Sequence, residues 1–323
     1  MEKLLTIVVP AYNVEKYIKN CLDSFIDLSV LRSLEILIVD DGSTDSKASL
    51  AHTYEQKYPY SFKVLSKENG GHGSTINYAI PRATGKYFKV VDGDDWLDKS
   101  LLPQFVQLLK HTHSDVISND FNLVDDRSKK VTKRRKAVSN SYHYNREWGF
   151  AEAVMDPLIT IHSMTIRTDV LQKNDIRVDE HCFYEDQEYI LYPIPYCTSI
   201  TFSPLPLYQY RQACFSKHPD ALPAARLIHS RVLLAQHLIK LLHPINIPCI
   251  IALCQKYLVL IIDRLCYAAL EVLLLVGLQI AVHVVVFKQR IEYLKVLIMT
   301  LDHHLYVHTL TASAKPVLVQ RQW

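Results

Sequence analysis

The sequence predicts an α/β fold, a mostly parallel sheet flanked by helices, followed by a smaller helical region at the C-terminal end. Three observations carry this. Short apolar runs alternate with helical patterns from residue 1 to about residue 120, the rhythm of βαβ units. Those runs end in polar or glycine-containing turns. From about residue 221 the pattern is helical alone.

The first run, Leu4–Val9, follows Met1-Glu2-Lys3 in the manner of a secretory leader, but Pro10 interrupts it and no small-residue cleavage site is spaced correctly. It reads as the first strand. Val14, Tyr17, Ile18, Cys21, Leu22, Phe25 and Ile26 then recur at helical spacing, with Asn13 placed to cap the helix. Further strands are expected at Glu35–Val39, Phe62–Ser66, Tyr87–Val91 and Val116–Ser118. A helix is expected from Ser74 to Ala83, where Gly85 would supply a left-handed C-terminal residue. Another begins after Asp98 and buries Leu101, Leu102, Phe105, Leu108 and Leu109. The segment 121–145 is a polar excursion: Asp125-Asp126 as a turn, then seven cations in the ten positions from Arg127 to Lys136. A solvated hairpin tip accounts for it, and so does a patch that touches anionic lipid or phosphate. Short helices and strands rich in Pro and Tyr continue to about residue 212.

At 323 residues the chain exceeds the usual single compact domain. We expect a catalytic domain over 1–215 and a C-terminal helical region over 221–323. In that region Leu265–Phe287 is strongly apolar. Glu271, Gln279 and His283, with Arg264, form one narrow polar stripe on a helix. A buried helix of a small bundle, contact with a membrane surface and a membrane span are all compatible with it. A net charge of +3 with 21% charged residues argues against disorder and against general nucleic-acid binding. Seven widely spread cysteines with no CxxC pair fit a reducing cytosol better than a disulfide framework or a zinc knuckle.

The strand ends carry, in order, Pro10-Ala11-Tyr12-Asn13, Asp40-Asp41-Gly42-Ser43, Asn69-Gly70-Gly71-His72-Gly73 and Asp92-Gly93-Asp94-Asp95. Ligands of open α/β sheets bind outside the carboxyl ends of the strands, so these segments should converge. The carboxylates of Asp92, Asp94 and Asp95 repel one another unless a cation lies among them. Mg²⁺ or Mn²⁺ would also bind diphosphate oxygens. An acidic turn leading into the next helix is the plainer alternative. Asp40 and Asp41 could accept from a base or a ribose, or simply make a turn. The glycine-rich segment lacks Rossmann spacing, and no Gly-Lys-Ser/Thr phosphate loop occurs. Phe183-Tyr184-Glu185-Asp186 sets an acidic pair among aromatics, where partial burial can raise a carboxylate toward a useful general base. Tyr208-Gln209-Tyr210-Arg211 offers a cation and two aromatics to a sugar or a diphosphate, or to packing.

Taken together, Val8 to Asn13, Ile38 to Asp45, Glu68 to Gly71, Ala83 to Tyr87 and Asp92 to Trp96, in this order and spacing, resemble glycosyltransferase family 2, bacterial GT-A enzymes of cell-surface polysaccharide assembly. The resemblance covers about residues 4–212 and extends to His162–Leu171 and to Glu185-Asp186. It implies a nucleotide-sugar donor, most simply a UDP-sugar, with Pro10, Ala11, Tyr12, Asn13, Asp40, Asp41, Gly70 and Gly71 around the nucleoside. Asp92 and Asp94 match the DXD motif. Asp94 and Asp95 would hold Mn²⁺ or Mg²⁺, and Asp186 would deprotonate the acceptor hydroxyl. His162, Glu185 and Arg211 would lie on the acceptor side. The expected acceptor is a saccharide or a lipid-linked one, and the expected place the cytoplasm, at the inner face of the cell membrane if there is peripheral membrane contact. Tyr208-Gln209-Tyr210-Arg211-Gln212 lacks the tryptophan and spacing of processive synthases, which favours one sugar per encounter. A nucleotidyltransferase-like enzyme would want a basic glycine-rich loop after the first strand, and Pro10 to Asn13 is not one. A sugar-nucleotide-binding protein without turnover would fit better if Asp94 or Asp186 were missing.

Overall fold

The computed structural model describes residues 2–43, 47–138, 143–153, 159–182 and 185–212. The elements are β1 (Leu5–Ala11), α1 (Glu15–Ser24), β2 (Leu34–Asp40), α2 (Lys47–Lys57), β3 (Phe62–Ser66), α3 (His72–Ala79), β4 (Tyr87–Val90), β5 (Trp96–Leu97) and α4 (Leu102–His111). They continue with β6 (Val116–Asp125), β7 (Val131–Arg135), β8 (Glu147–Gly149), α5 (Phe150–Ala153), β9 (Met164–Arg167), α6 (Thr168–Lys173), α7 (Glu185–Leu191) and β10 (Ser199–Gln212). One sheet runs in the order β3-β2-β1-β4-β9-β6-β10-β5, with β7 beside β6 and β8 beside β10. β1, β2, β3 and β4 are mutually parallel, β10 is parallel to β6, and β9 runs against both its neighbours. The expected mostly parallel sheet is therefore present. The boundary near residues 215–221, the helical region after it, Thr44, Asp45, Phe183 and Tyr184 lie outside the described residues.

Every residue of β1 is buried, as a strand covered on both faces requires. Leu5, Ile7 and Val9 share a core with Ile18, Cys21, Leu22 and Phe25 of the α1 region and with Leu102, Phe105 and Leu109 of α4. Side chains alternate across a strand, so Val8 belongs to the opposite face, where α3 packs on β1 and β2. Each such Leu, Ile or Phe contributes roughly 2 kcal/mol by leaving water. Among the described residues no helix is long and apolar enough to cross a membrane.

Three local expectations need correction. Asn13 does not cap α1: it adopts a left-handed φ of 50°, and Val14 occupies the cap position without a side-chain hydrogen bond. The helix expected to start at Ser74 begins at His72 and ends at Ala79, because Pro81 lacks an N–H and the chain continues as a 3₁₀ turn over Ile80–Arg82. Gly85 is not left-handed; a Cβ there would lie 2.5 Å from Thr6 N and 2.8 Å from Leu5 C. The glycine is needed for close approach of two backbones. Gly85→Ala is accordingly expected to destabilise the domain by about 3 kcal/mol, since backbone cannot yield as a side-chain tip can. Urea unfolding measures this, and an unchanged midpoint would remove the steric argument.

Candidate active site

The carboxyl ends of β1, β2 and β4 are tied together through the backbone. Asp41 N donates to Ala11 O at 3.0 Å and Gly93 N to Pro10 O at 3.2 Å. A Cβ on Gly93 would come within 2.9 Å of Pro10 O and of Val14 Cγ2, so only glycine lets the acidic turn lie this close to β1. The convergence expected of the strand ends is observed.

Asp41 organises the glycine-rich segment. Its buried carboxylate accepts from Gly70 N at 2.9 Å, Gly71 N at 2.8 Å, Lys67 Nζ at 2.8 Å and Ser74 Oγ at 3.2 Å. Burial pushes this group up, but Lys67 and the two amides outweigh it and hold Asp41 below the usual carboxylate range. Gly71, with φ of 86°, starts α3 in a conformation that L side chains avoid. Asp40 accepts from Ser43 N at 3.0 Å and is the more open of the two acids. Tyr12, at the end of β1, is half exposed at 51%.

Behind the acidic turn stands the end of β10. Asp92 N donates to Tyr208 Oη at 3.2 Å, and that hydroxyl donates to Asp95 Oδ2 at 2.7 Å. Arg211 N donates to Asp95 Oδ1 at 2.6 Å, and Arg211 Nε to Asp94 O at 2.5 Å. The Arg211 guanidinium also bonds Asp126 at 2.6 Å and lies 4.5 Å from the Tyr17 ring and 4.7 Å from the Trp96 ring. Asp95 is thus clasped and 1% exposed. Burial first, then the charges of Asp92 and Asp94, push it up to about 9. Burial and Asp92 raise Asp94 as well. Tyr208→Phe leaves Asp92 N and Asp95 Oδ2 without the partner they share, and is expected to cost about 1–3 kcal/mol of stability in urea unfolding; no loss would mean the hydroxyl is dispensable.

His72 joins two parts of the site. Its Nε2 lies 2.9 Å from Asp92 Oδ1, and its Nδ1 is at ion-pair distance, 3.0 Å, from Glu185 Oε1 without the alignment of a hydrogen bond. Burial alone would lower its pKa, but the hydrogen bond to Asp92 and the charges of Asp92 and Glu185 raise it to about 10. Burial opposes ionisation of Asp92 too, and His72 overcomes it. Beside Glu185, Asp186 opens α7; burial, with the Glu185 charge, raises its pKa against the hydrogen bond from Gln187 Nε2 at 3.0 Å. The His162 ring packs against Phe121, Tyr208 and Tyr210 at 5.3, 5.0 and 4.4 Å. Burial lowers it to about 4, so the imidazole is neutral and able to ligate a metal. Ligand atoms of Asp92, Asp95 and His162 lie within 4.8 Å of one another. Three clustered carboxylates, Asp95 buried and Asp92 and Asp94 partly so, beside a neutral imidazole fit a divalent cation.

Most of the residues singled out from sequence meet here. Pro10, Ala11 and Asn13 border Gly93 and Ser43, while Asp92 reaches Glu185 through His72. Arg211 sits behind the acidic turn rather than projecting into the open, and His162 stands with Asp92 and Asp95. Sequence reading overlooked His72, Lys67 and the Tyr208 hydroxyl. The first two flank or belong to the glycine-rich segment, which was the available signal; Tyr208 was marked as an aromatic, but nothing local pointed its hydroxyl to Asp92 and Asp95.

Residues 6–173 match the family described as Glycosyl transferase family 2. The chain is 31% identical over 146 residues to the uncharacterized glycosyltransferase EpsJ of Bacillus subtilis, covering 45% of this chain and 40% of that protein. It is 33% identical over 113 residues to the poly(ribitol-phosphate) beta-N-acetylglucosaminyltransferase TarS of Staphylococcus aureus, covering 35% of this chain and 20% of TarS. It thus spans well under two thirds of the length of these relatives. The crystal structure of S. aureus TarS 1–349 in complex with UDP-GlcNAc superposes with a TM-score of 0.61 at 20% identity, covering 82% of this chain and 81% of that one. The mannosyltransferase PcManGT of Pyrobaculum calidifontis, in complex with GDP-Man and Mn2+, gives 0.56 at 15% identity, covering 95% and 85%. These likenesses establish a shared fold. With the family match spanning more than half of its residues, the chain belongs to glycosyl transferase family 2.

Proposed function

We propose that this glycosyltransferase moves a single sugar, with inversion, from a UDP-sugar to a saccharide or lipid-linked acceptor of cell-surface polysaccharide assembly, at the cytoplasmic face of the membrane. The observation that carries the reading is the bridge Asp92–His72–Glu185, which couples the acidic turn at the strand ends to the helix that begins with Glu185 and Asp186. A donor-side cluster and a separate carboxylate base are the two parts that direct displacement needs.

In this reading Pro10 to Asn13, Asp40, Asp41, Gly70 and Gly71 hold the nucleoside, and Asp92 and Asp94 face the ribose and diphosphate. Asp186 accepts the proton of the attacking hydroxyl, which approaches the anomeric carbon opposite the nucleotide. One base suffices because a nucleoside diphosphate is a better leaving group than the alcohol a hydrolase must protonate. Mn²⁺ or Mg²⁺, held by Asp94 and Asp95 with Asp92 and His162 in reach, would stabilise the charge that develops on that diphosphate. Arg211 and Tyr208 keep the acidic turn in place.

A panel of nucleotide sugars tests this. With Mn²⁺ and a UDP-sugar at about a hundredfold over Kd, the chain should gain about 2.7 kcal/mol of stability and release UDP slowly. Stabilisation by GDP- or CMP-sugars in preference would remove uracil from the reading; stabilisation with no UDP release would favour a sugar-nucleotide-binding protein without turnover, and no stabilisation by any of them would overturn the donor site.

A further inference from the structure

The exposed cations of the hairpin that follows β6 are not among the residues assigned to the reaction. Residues 127–136 are exposed throughout, with seven cations and no acid among them, and Val131 is 53% exposed in their midst. The hairpin is firmly pinned. Asp120 accepts from Arg134 Nε at 2.9 Å, Ala137 N at 2.8 Å and Tyr144 Oη at 2.9 Å. Asp125 accepts from Ser128 N at 2.7 Å, and Asp126 from Lys129 at 2.7 Å and Arg211 at 2.6 Å. Those anchors occupy Lys129 and Arg134. Arg127, Lys130, Lys133, Arg135 and Lys136 form no ion pair among the described residues.

Edge strands do carry lysine to discourage pairing with other chains, and β7 pairs with β6 alone. One or two charges serve that purpose; five further unpaired cations concentrate repulsion in a chain whose net charge is only +3. We propose that the β6–β7 hairpin docks the enzyme on an anionic phospholipid bilayer, its unpaired cations against the headgroups and Val131 at the apolar boundary. The exposed valine favours a bilayer over a soluble polyanion, which offers no apolar layer to receive it. Docking is independent of the transfer reaction, since vesicle binding is measured directly.

The full chain would be sedimented with vesicles of phosphatidylcholine, with and without about 30% phosphatidylglycerol, the anionic lipid that attracts cations at about 1 kcal/mol each. Wild type should bind the anionic vesicles selectively and lose them near 0.5 M salt, where the Debye length falls to about 4 Å. The variant combining Lys130→Gln, Lys133→Gln, Arg135→Gln and Lys136→Gln should bind more than about a hundredfold more weakly, at about fivefold per cation. A variant with Lys130→Arg, Lys133→Arg and Lys136→Arg should bind as wild type does. Equal retention of wild type and the glutamine variant, equal binding to pure phosphatidylcholine, or binding to polyphosphate with none to vesicles would each overturn the proposal.

Discussion

Asp186→Asn is expected to lower sugar transfer by about 10³-fold while leaving UDP-sugar affinity within about twofold, because a general base acts only in the chemical step. The substitution keeps shape and removes the charge. Burial and Glu185 raise the Asp186 pKa, which defines a second readout. The base works ionised, so kcat/KM should rise with pH through a midpoint above the ordinary aspartate value of about 3.9. In the asparagine variant that limb should vanish along with the rate. Isothermal titration for affinity and coupled UDP release for turnover separate the two effects. Full turnover in the variant would move the base elsewhere, with Glu185 the nearest carboxylate to test. A parallel loss of donor affinity would mean that Asp186 belongs to the donor side.

The strands that build the floor of the site were legible because a parallel sheet buried on both faces needs long apolar runs, and β1 and β2 are such runs. Their ends were legible for the same reason: a buried strand must give way at its carboxyl end to a turn, and polar turns at successive ends meet by topology. The charged segment after β6 is a hairpin, one of the two readings its sequence allowed, whereas the strand expected to end at Ser118 continues to Asp125 and takes in the start of what reads as a polar excursion. Finer geometry was hidden. Asn13 looks like a helix cap and is a left-handed turn residue, and Gly85 looks like a helix terminator and is a spacer between strands. Both residues serve more than one backbone purpose, and only the neighbouring chain decides which. The contacts that hold the acidic turn are more distant still. Tyr208 comes 113 residues after the Asp95 it bonds, and Arg211 lies 85 residues from Asp126. No local pattern encodes such pairs.

Asp94 and Asp95 are adjacent in sequence yet differently held, so their alanine variants should fail in different ways. Asp95 gives both oxygens to the protein, one to Tyr208 Oη and one to Arg211 N. Asp95→Ala strands two buried donors and should destabilise the fold by about 2–4 kcal/mol, besides removing one of the proposed metal ligands. For Asp94 it is the backbone carbonyl that Arg211 grips, and the residue is only partly buried. Asp94→Ala should therefore leave the unfolding midpoint within about 0.5 kcal/mol of wild type. Mn²⁺-dependent UDP binding should weaken about a hundredfold, the loss of one charge-assisted contact of nearly 3 kcal/mol. Thermal shift with UDP, run with Mn²⁺ and with EDTA, reads both quantities in one titration. If Asp94→Ala binds UDP with undiminished Mn²⁺ dependence, the ion belongs instead to Asp92, Asp95 and His162, whose ligand atoms already lie within 4.8 Å of one another. In that case His162→Ala should abolish the dependence, and His162 would move from the acceptor side to the donor side.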